Sequence, residues 1–300
     1  MPTGPMKVVI AGASGFLGTA LSSHLQAQGH DVTRLVRRPA KAGESQWDPP
    51  SGTVDVDLLG TADVVANLAG SPLVGITRSK KYQRTMRESR IGTTRTLAEG
   101  IAKSGSTPTF LAQNGIAGYG DRGSDVVTEA DPAGAETFMG RLTVDWRAAT
   151  APAADAGARV VELRTAVVLD KRGSALKAMR LPFLLGVGGS IGNGRQYFST
   201  ISLRDWVGAA TFLAEADDAE GPYNLTGPEP VTNAEFTKAL ASALHRPAFL
   251  RVPAFAIRAA LGPVSTELLG SVRLKPARLL EAGFTFQDPT VPEQLEAALS

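Results

Sequence analysis

Three glycines at fixed spacing form the first pattern in this sequence that indicates a ligand-binding loop. Gly12, Gly15 and Gly18 lie in "GASGFLG", which directly follows the apolar run 7–11 and opens the helical pattern 16–28. Such glycines permit a tight turn, a close approach of the backbone to a pyrophosphate, and close packing of helix on strand. We therefore predict a dinucleotide site whose phosphates face the start of the helix; a purely structural turn is the alternative. The predicted site residues in this loop are Gly12, Ser14, Gly15, Phe16, Leu17 and Gly18.

The residues after the second predicted strand indicate which dinucleotide binds. A site for NAD places an acidic residue about 20 positions past the glycines, where it binds the ribose 2′-hydroxyl. The stretch here is "LVRRP", in which Arg37 and Arg38 follow the run 31–36. Guanidinium groups suit a 2′-phosphate, so we predict NADP(H). A solvated basic loop is the alternative.

Two further stretches are predicted to line the same cleft. The motif "NLAG" ends the strand at 63–68, so the backbone at Leu68, Ala69 and Gly70 should face the cofactor. Arg90 falls on the apolar stripe of the next predicted helix. A buried guanidinium needs an anionic partner. The cofactor's phosphates are one candidate for that partner, and an internal salt bridge is the other.

Candidate catalytic residues follow the predicted strand at 109–113. Asn114 could hold a substrate oxygen or a water, but an amide does not take up a proton at neutral pH. Tyr119 lies between glycines five residues later, and a positioned phenol can act as a catalytic acid. No carboxylate pair and no metal-ligand spacing stands out, so we predict no metal site.

Short apolar runs alternate with helical patterns through the first two thirds of the chain. This alternation predicts an α/β fold with a Rossmann-type, doubly wound parallel sheet. The predicted strands are 7–11, 31–36, 63–68, 109–113 and 159–165, and the predicted helices are 16–28, about 78–103 and about 136–155.

The alternation breaks after Thr165, where a glycine-rich stretch and then a helix-rich region follow. We predict two domains on this basis. The Rossmann domain covers 1–165 and is completed by about 203–220, and a smaller C-terminal lobe on the substrate side covers 166–202 and 221–300.

Composition narrows the class of protein. The chain has 43% hydrophobic and 20% charged residues, which indicates a globular protein rather than a disordered one. Its net charge of +2 is too small to favour nucleic acid or an anionic membrane as a partner. It has no cysteine, and no run approaches the roughly 20 apolar residues that span a bilayer. We therefore expect a cytoplasmic protein with a small-molecule substrate.

The motifs resemble those of a known superfamily. "GASGFLG", "NLAG" and "SRIGTTRTLAEGI" are similar to the extended, atypical short-chain dehydrogenase/reductases. "GGSIGNGRQ", "GPYNLTGPEPVTNAEFTKALASALHRP" and "VRLKPARLLEAGFTF" more closely resemble an epimerase-like family with a C-terminal domain of unknown function, whose members are labelled nucleotide-sugar epimerase or cell-division inhibitor. The resemblance implies NADP(H) binding and matches Arg37, Ser89, Arg90 and Asp205 to family positions. In that family, serine is common at the position of Asn114, and histidine is common at the position of Ser202.

One departure from the superfamily concerns its catalytic pair. The resemblance implies a tyrosine and a lysine one helical turn apart, roughly 25 residues after the strand that ends near Asn114. That region reads "ETFMGRLTVDW" and contains neither residue. Tyr119 matches instead the tyrosine–glycine that closes the preceding loop and lines the pocket. We interpret Tyr119 as a pocket wall, with a reassigned acid as the alternative.

These observations leave two functions open. The first is an NADP(H)-binding oxidoreductase or epimerase-like enzyme acting on a small polar substrate, for which a nucleotide sugar is one candidate. The second is an NADP(H)-binding sensor or regulatory protein with little or no turnover, which the missing tyrosine–lysine pair favours.

Overall fold

The computed structural model describes residues 4–72 and 79–300. Within these ranges the strands are β1 (Lys7–Ala11), β2 (Asp31–Val36), β3 (Glu44–Gln46), β4 (Val64–Asn67), β5 (Thr109–Gly115), β6 (Val126–Val127), β7 (Val160–Thr165), β8 (Val167–Leu169), β9 (Gly189–Ile191), β10 (Tyr197–Phe198), β11 (Thr200–Ser202), β12 (Gly221–Leu225), β13 (Val231–Thr232), β14 (Leu250–Val252) and β15 (Arg273–Leu274).

The helices occupy most of the remaining chain. They are α1 (Phe16–Ala27), α2 (Val56–Gly60), α3 (Lys80–Arg87), α4 (Thr93–Ser104), α5 (Phe138–Ala148), α6 (Ala151–Asp155), α7 (Ser174–Leu184), α8 (Leu203–Glu215), α9 (Asn233–Ala243), α10 (Ala254–Leu261), α11 (Thr266–Leu269), α12 (Ala277–Glu281) and α13 (Val291–Leu299). A π-helical turn, Glu88–Gly92, joins α3 to α4, and 3-10 turns cover Pro49–Ser51, Ile116–Tyr119 and Gly262–Ser265.

The central sheet is parallel throughout and runs β12–β7–β5–β4–β1–β2–β3. The winding reverses at β1, which pairs with β2 on one side and β4 on the other. In doubly wound sheets, ligands bind outside the carboxyl ends of the strands at this reversal. The predicted fold class is confirmed. β3 and β12 add two strands to the five that the sequence predicts.

Side chains of the central sheet alternate between two cores. Val8 and Ile10 face a core that α1 and α8 complete, in which Trp206 is fully buried. Val9 and Ala11 face the opposite core, which α4 completes. Apolar residues on both faces are typical of a parallel sheet covered by helices on each side. The carboxyl edge of the strands is thereby left as the place for a ligand.

The C-terminal part has its own core. Helices α7, α9 and α13 contribute to it, with Phe183, Phe236 and Leu295 buried. Capping boxes begin α9 at Thr232 and α13 at Thr290. Short strand pairs support this part: β8 with β11, β9 with β14, and β10 with β13. The division into two domains stays a prediction, and the central sheet itself continues through β12, beyond position 220.

Helix length and hydropathy show whether a helix could cross a membrane. Within the described ranges, no helix combines the length and the apolar character that crossing a bilayer requires.

Candidate functional site

The glycine loop packs directly against the segment after β4. Gly12 has a φ of +78°, and a Cβ added there would lie 2.6 Å from the Ala69 nitrogen and the Leu68 oxygen. A Cβ on Gly18 would lie 2.2 Å from the Gly12 oxygen. Contacts this short leave no room for a side chain, so both positions require glycine. The loop and the "NLAG" segment are therefore held together at the switch point of the sheet.

The start of α1 leaves its amides available to a ligand. Gly15 caps this helix, and no side chain in the described part of the chain accepts a hydrogen bond at the cap. Ser14 and Gly15 are exposed, while Phe16 and Leu17 are half-buried. Since the first amides of a helix have no partner within the helix and carry its positive dipole end, this terminus suits a phosphate.

Asn67 fixes the "NLAG" turn, and sequence reasoning did not single it out. It is fully buried, its Nδ2 donates to Thr94 Oγ1 at 2.7 Å, and its Oδ1 accepts from the Ala69 amide at 3.1 Å. Trp146 of α5 donates to the same threonine oxygen at 2.8 Å. These bonds tie β4, α4 and α5 together. They position Leu68 and Ala69 beside the glycine loop.

Arg90 is buried at the side of this cleft. It lies in the π-helical turn and is 8% exposed. It donates to the carbonyl oxygens of Ser71 (3.0 Å) and Met86 (3.2 Å), and its guanidinium lies 5.4 Å from the Trp146 ring centre. Burial lowers its pKa to about 10. Within 4–72 and 79–300 it has no carboxylate partner, so the internal salt bridge considered from the sequence is not among the described contacts.

Gly70 lies between Arg90 and the cleft. An added Cβ on this residue would lie 3.5 Å from the Arg90 guanidinium carbon, and Gly70 itself is exposed. Ser89 donates to Ser71 Oγ at 3.1 Å and accepts from the Ser71 amide at 3.0 Å, so it holds the chain that follows Gly70. The pair Ser89–Arg90 thus sets the position of this edge of the cleft.

The two arginines after β2 differ in their surroundings. Arg38 binds both carboxylate oxygens of Glu44 at 2.7 Å, and this pairing lowers the pKa of Glu44 to about 2. Arg37 is exposed and has no hydrogen bond or ion pair to any residue that the structure describes. The predicted pair is therefore divided, because Arg37 is available to a ligand whereas Arg38 is already bound.

Tyr119 ends the 3-10 turn after β5 and is 3% exposed. Its hydroxyl accepts from Arg164 Nη1 at 2.7 Å and donates to Asn224 Oδ1 at 2.8 Å. The Arg164 guanidinium also lies 5.1 Å from the centre of the ring. Burial raises the pKa of Tyr119, and Arg164 offsets only part of this rise. The hydroxyl therefore has both of its hydrogen bonds inside the protein.

Asn114 belongs to the same network. It is 2% exposed, and its Nδ2 donates to Glu162 Oε1 at 2.6 Å and to the Thr143 carbonyl at 3.0 Å. Its Oδ1 accepts from the Gly115 amide at 2.8 Å. Glu162 completes the link through an ion pair of 3.1 Å with Arg164. We name Asn114, Tyr119, Glu162, Arg164 and Asn224 the buried network.

The sequence contains a signal for part of the buried network that its first interpretation missed. Glu162 and Arg164 are two residues apart in a strand, so they lie on the same face of the sheet. Two charges facing a core are expected to pair with each other or with a polar neighbour. Their meeting with Tyr119, by contrast, depends on the pairing of β5 with β7.

The start of α5 is apolar at the place where the resemblance implies the tyrosine–lysine pair of the superfamily. Met139 and Leu142 are buried together with Met86 of α3 and Val264 of the Gly262–Ser265 turn. The C-terminal part of the chain therefore packs directly on this end of α5. No phenol or ammonium group lies in α5 itself.

Glu267 follows this contact and was also missed by the sequence reasoning. It lies three residues after Val264 in continuous helical turns, so the two share one face. It has no hydrogen bond or ion pair to the described residues, and burial raises its pKa to about 7. Val264 packs with the apolar start of α5, and Glu267 lies one helical turn further along the chain.

Asp205 and Ser202, two positions singled out by the resemblance, join β11 to α8. Ser202 caps the helix by accepting from the Asp205 amide at 3.1 Å. The Asp205 carboxylate accepts from the amides of Gln287 (2.8 Å) and Asp288 (2.9 Å). These bonds connect α8 to the chain before α13.

Comparison with known protein families and structures agrees with this geometry. Residues 8–226 match the model of the NAD dependent epimerase/dehydratase family, and residues 252–298 match a domain of unknown function, DUF1731. The chain belongs to the NAD dependent epimerase/dehydratase family. An epimerase family protein of Mycobacterium leprae is 45% identical over 293 residues, which cover 97% of this chain and 95% of that protein. The resemblance inferred from the motifs is confirmed.

Solved structures show the same fold. The crystal structure of human epimerase family protein SDR39U1 (isoform 2) with NADPH superposes with a TM-score of 0.89 at 33% identity, covering 98% of this chain and 99% of that one. The nucleoside-diphosphate sugar epimerase of Corynebacterium glutamicum gives a TM-score of 0.79 at 34% identity. It covers 99% of this chain and 58% of that one.

Proposed function

We propose that this family member binds NADP(H) and acts as an oxidoreductase or epimerase-like enzyme on a small polar substrate. The observation that carries the proposal is the contact of the glycine loop with the "NLAG" segment. There, a Cβ on Gly12 would lie 2.6 Å from the Leu68 oxygen and the Ala69 nitrogen, so the contact has space for backbone alone. This contact supports a dinucleotide cleft rather than a structural turn, because the amides of α1 open onto it.

The surrounding residues fit NADP(H). The amides of Phe16 and Leu17, the first two of α1, would hold the pyrophosphate. Arg37 would bind the 2′-phosphate, since it is exposed and has no partner among the described residues. Arg90, buried without a described carboxylate, would face an anionic group at the inner end of the cleft. When bound, the cofactor supplies hydride transfer at its nicotinamide, and the protein supplies orientation. The NADPH in the human relative supports this preference.

The buried network is proposed to position the pocket rather than to exchange protons. Tyr119 and Asn114 have their polar atoms bonded to protein groups, and the pKa of Tyr119 is raised. A phenol with a raised pKa is a weak partner for proton exchange at neutral pH. Glu267 is proposed as a further candidate for that exchange, because it lies one helical turn from Val264, which packs with α5, and burial raises its pKa to about 7.

A sensor or regulatory protein with little turnover is the second candidate. The apolar start of α5 favours it, because Met139 and Leu142 are buried where the superfamily has its proton-exchanging pair. A sensor needs cofactor binding and a structural response, without proton exchange in the pocket.

Calorimetry and a turnover assay separate the two functions. We expect NADPH to bind much more tightly than NADH, and equal affinities would contradict the NADP(H) assignment. The purified protein is then incubated with NADPH and a panel of aldehydes, ketones and nucleotide sugars, with cofactor oxidation and sugar isomerisation as readouts. Turnover that falls in Glu267→Gln supports the enzyme. Tight NADPH binding with no turnover across the panel supports the sensor.

A further inference from the structure

The exposed apolar side chains of this protein are concentrated in one place. In the described part of the chain, nine large apolar side chains are exposed, and seven of them lie in 181–187 and 249–255. The largest exposures are those of Phe249 (73%), Phe255 (72%) and Leu185 (68%). The other four of these side chains are Leu181, Leu184, Val187 and Leu250. Such a concentration indicates an interaction site, whereas single exposed apolar residues do not.

The two stretches are neighbours in the fold. β14 pairs in parallel with β9, and the Leu250 amide donates to the Gly188 carbonyl at 3.4 Å. A Cβ on Gly189 would lie 1.9 Å from the Leu250 oxygen, so no side chain fits between the two strands at this position. The end of α7, β14 and the first turn of α10 thus form one surface. We call the surface formed by 181–187 and 249–255, with the basic residues beside it, the apolar–basic face.

The two stretches of sequence that contain this face carry charge of one sign. Residues 174–195 and 236–266, the latter bounded by Glu235 and Glu267, contain seven lysines and arginines and no aspartate or glutamate. Since the whole chain carries +2, the remaining residues carry −5. The modest net charge that argued against an anionic partner is therefore an average over two regions of opposite sign. The basic residues that lie within four positions of an exposed apolar side chain in the sequence include Lys177, Arg180, Arg246 and Arg251.

A second copy of this chain is a poor occupant for the apolar–basic face. In a symmetric dimer the same patch meets itself, so cations of one copy would approach cations of the other. Like charges brought together across an interface are unfavourable. Charge complementarity requires a partner that is anionic and accepts apolar side chains.

We propose that the apolar–basic face docks onto a membrane surface that contains anionic phospholipid. Phe249 and Phe255 project from the surface, as their exposures show, and such side chains can enter the boundary between headgroups and acyl chains. The basic residues beside them would meet the phosphates of the headgroups. This is peripheral contact, which needs no helix long enough to span the bilayer.

The test uses the full chain and sedimentation with lipid vesicles. We expect binding to vesicles of mixed phosphatidylglycerol and phosphatidylcholine, weaker binding at high salt, and little binding to phosphatidylcholine alone. Phe249→Ser combined with Phe255→Ser should weaken binding about tenfold or more, and Lys177→Glu or Arg251→Glu about fivefold or more each. Leu280→Ser is the matched control, since Leu280 is 46% exposed on α12, outside this face.

Several outcomes would overturn the proposal. They are absence of binding to anionic vesicles, equal binding to both vesicle types, and equal loss in Leu280→Ser. An acidic amphipathic peptide that binds in a Phe249-dependent way, while vesicles do not, would indicate a protein partner. A change confined to oligomeric state in size-exclusion chromatography would indicate self-association. Thermal melting and NADPH titration of each variant show whether the fold is retained.

Discussion

The arginine of the buried network and those of the proposed cofactor cleft differ in how their charge is balanced. Arg164 pairs with Glu162 at 3.1 Å, donates to the Tyr119 hydroxyl and lies over its ring. Arg37 and Arg90 have no carboxylate partner among the described residues, although Arg90 is only 8% exposed. All three arginines belong to the same α/β framework.

This difference separates charges that are balanced inside the fold from charges that the proposed function assigns to a ligand. A buried cation without a counter-ion is unfavourable, and Arg90 has no carboxylate partner among the described residues, so the proposal above gives it an anionic ligand. Arg164 needs no ligand, because its partners are all internal. The same reasoning separates Arg37 from its neighbour Arg38, whose charge Glu44 already balances.

The largest expected effect is a loss of stability when the Glu162–Arg164 ion pair of the buried network is broken. Arg164→Met leaves the Glu162 carboxylate buried without its cation, so the free energy of unfolding should fall by about 3–5 kcal/mol. Urea unfolding measures this loss. Arg141→Met is the control, because the Arg141 side chain is 60% exposed beside Glu136, and its loss should stay below about 0.5 kcal/mol. Similar losses in the two variants would contradict the interpretation of the network.

Removing Arg37, which has no ion-pair partner among the described residues, should affect binding instead. Arg37→Ala should weaken NADPH about 10–100-fold, because charge-assisted hydrogen bonds contribute about 1.5–3 kcal/mol. NADH affinity and melting temperature should not change. Calorimetry compares this variant with Arg38→Ala, which we expect to lose less NADPH affinity because Arg38 is bound to Glu44. A larger loss in Arg38→Ala would assign the 2′-phosphate to that residue.

Glu267 extends the comparison to a carboxyl group without a described partner. Its pKa is about 7 in the folded chain and about 4.3 in an unfolded one. Stability from the protonated form is therefore complete below the unfolded pKa and is lost as the pH rises through about 7. The loss should reach about 1–3 kcal/mol above that pH. Unfolding from pH 4 to 9 measures it, and Glu267→Gln should remove this part of the pH dependence. Parallel curves for both proteins would refute the raised pKa.

Arg90→Met tests whether the buried cation serves the ligand. The methionine side chain can keep the packing on Trp146, so the free energy of unfolding should change by no more than about 1 kcal/mol. NADP(H) affinity should fall about tenfold, which corresponds to about 1.4 kcal/mol. Early melting without cofactor, together with normal binding by the folded variant, would instead make Arg90 a structural residue.

The sequence predicted the framework of the site better than its interior. Strand and helix periodicity gave the parallel sheet, and the spacing of Gly12, Gly15 and Gly18 gave the loop at its switch point, because both signals are local. The buried network escaped prediction because it joins positions far apart in the chain. The Tyr119 hydroxyl bonds to Asn224, 105 residues later. Arg38 was grouped with Arg37 because its pairing with Glu44 depends on β2 lying beside β3.

Tyr119→Phe gives the smallest expected change and decides the role of the buried network. If Tyr119 were the proton donor, this substitution would lower turnover by about 10²–10⁴-fold. We expect a loss of only about 0.5–1.5 kcal/mol in stability, with a change of tenfold or less in substrate affinity. The ring stays under the Arg164 guanidinium, and Asn224 keeps its bond to the Lys275 carbonyl.

The measurement for Tyr119→Phe needs two readouts from the same preparations. Urea unfolding measures the change in stability. Turnover is measured with the first substrate identified from the panel of aldehydes, ketones and nucleotide sugars. Asn224→Ala is the control for turnover, because it removes the hydrogen bond to the Tyr119 hydroxyl, together with the bond to the Lys275 carbonyl, and leaves the phenol in place. Turnover that is kept in both folded variants assigns the phenol to the network. A turnover that collapses in Tyr119→Phe and survives in Asn224→Ala would make Tyr119 the acid, because the phenol is then needed for chemistry and its hydrogen bond to Asn224 is not.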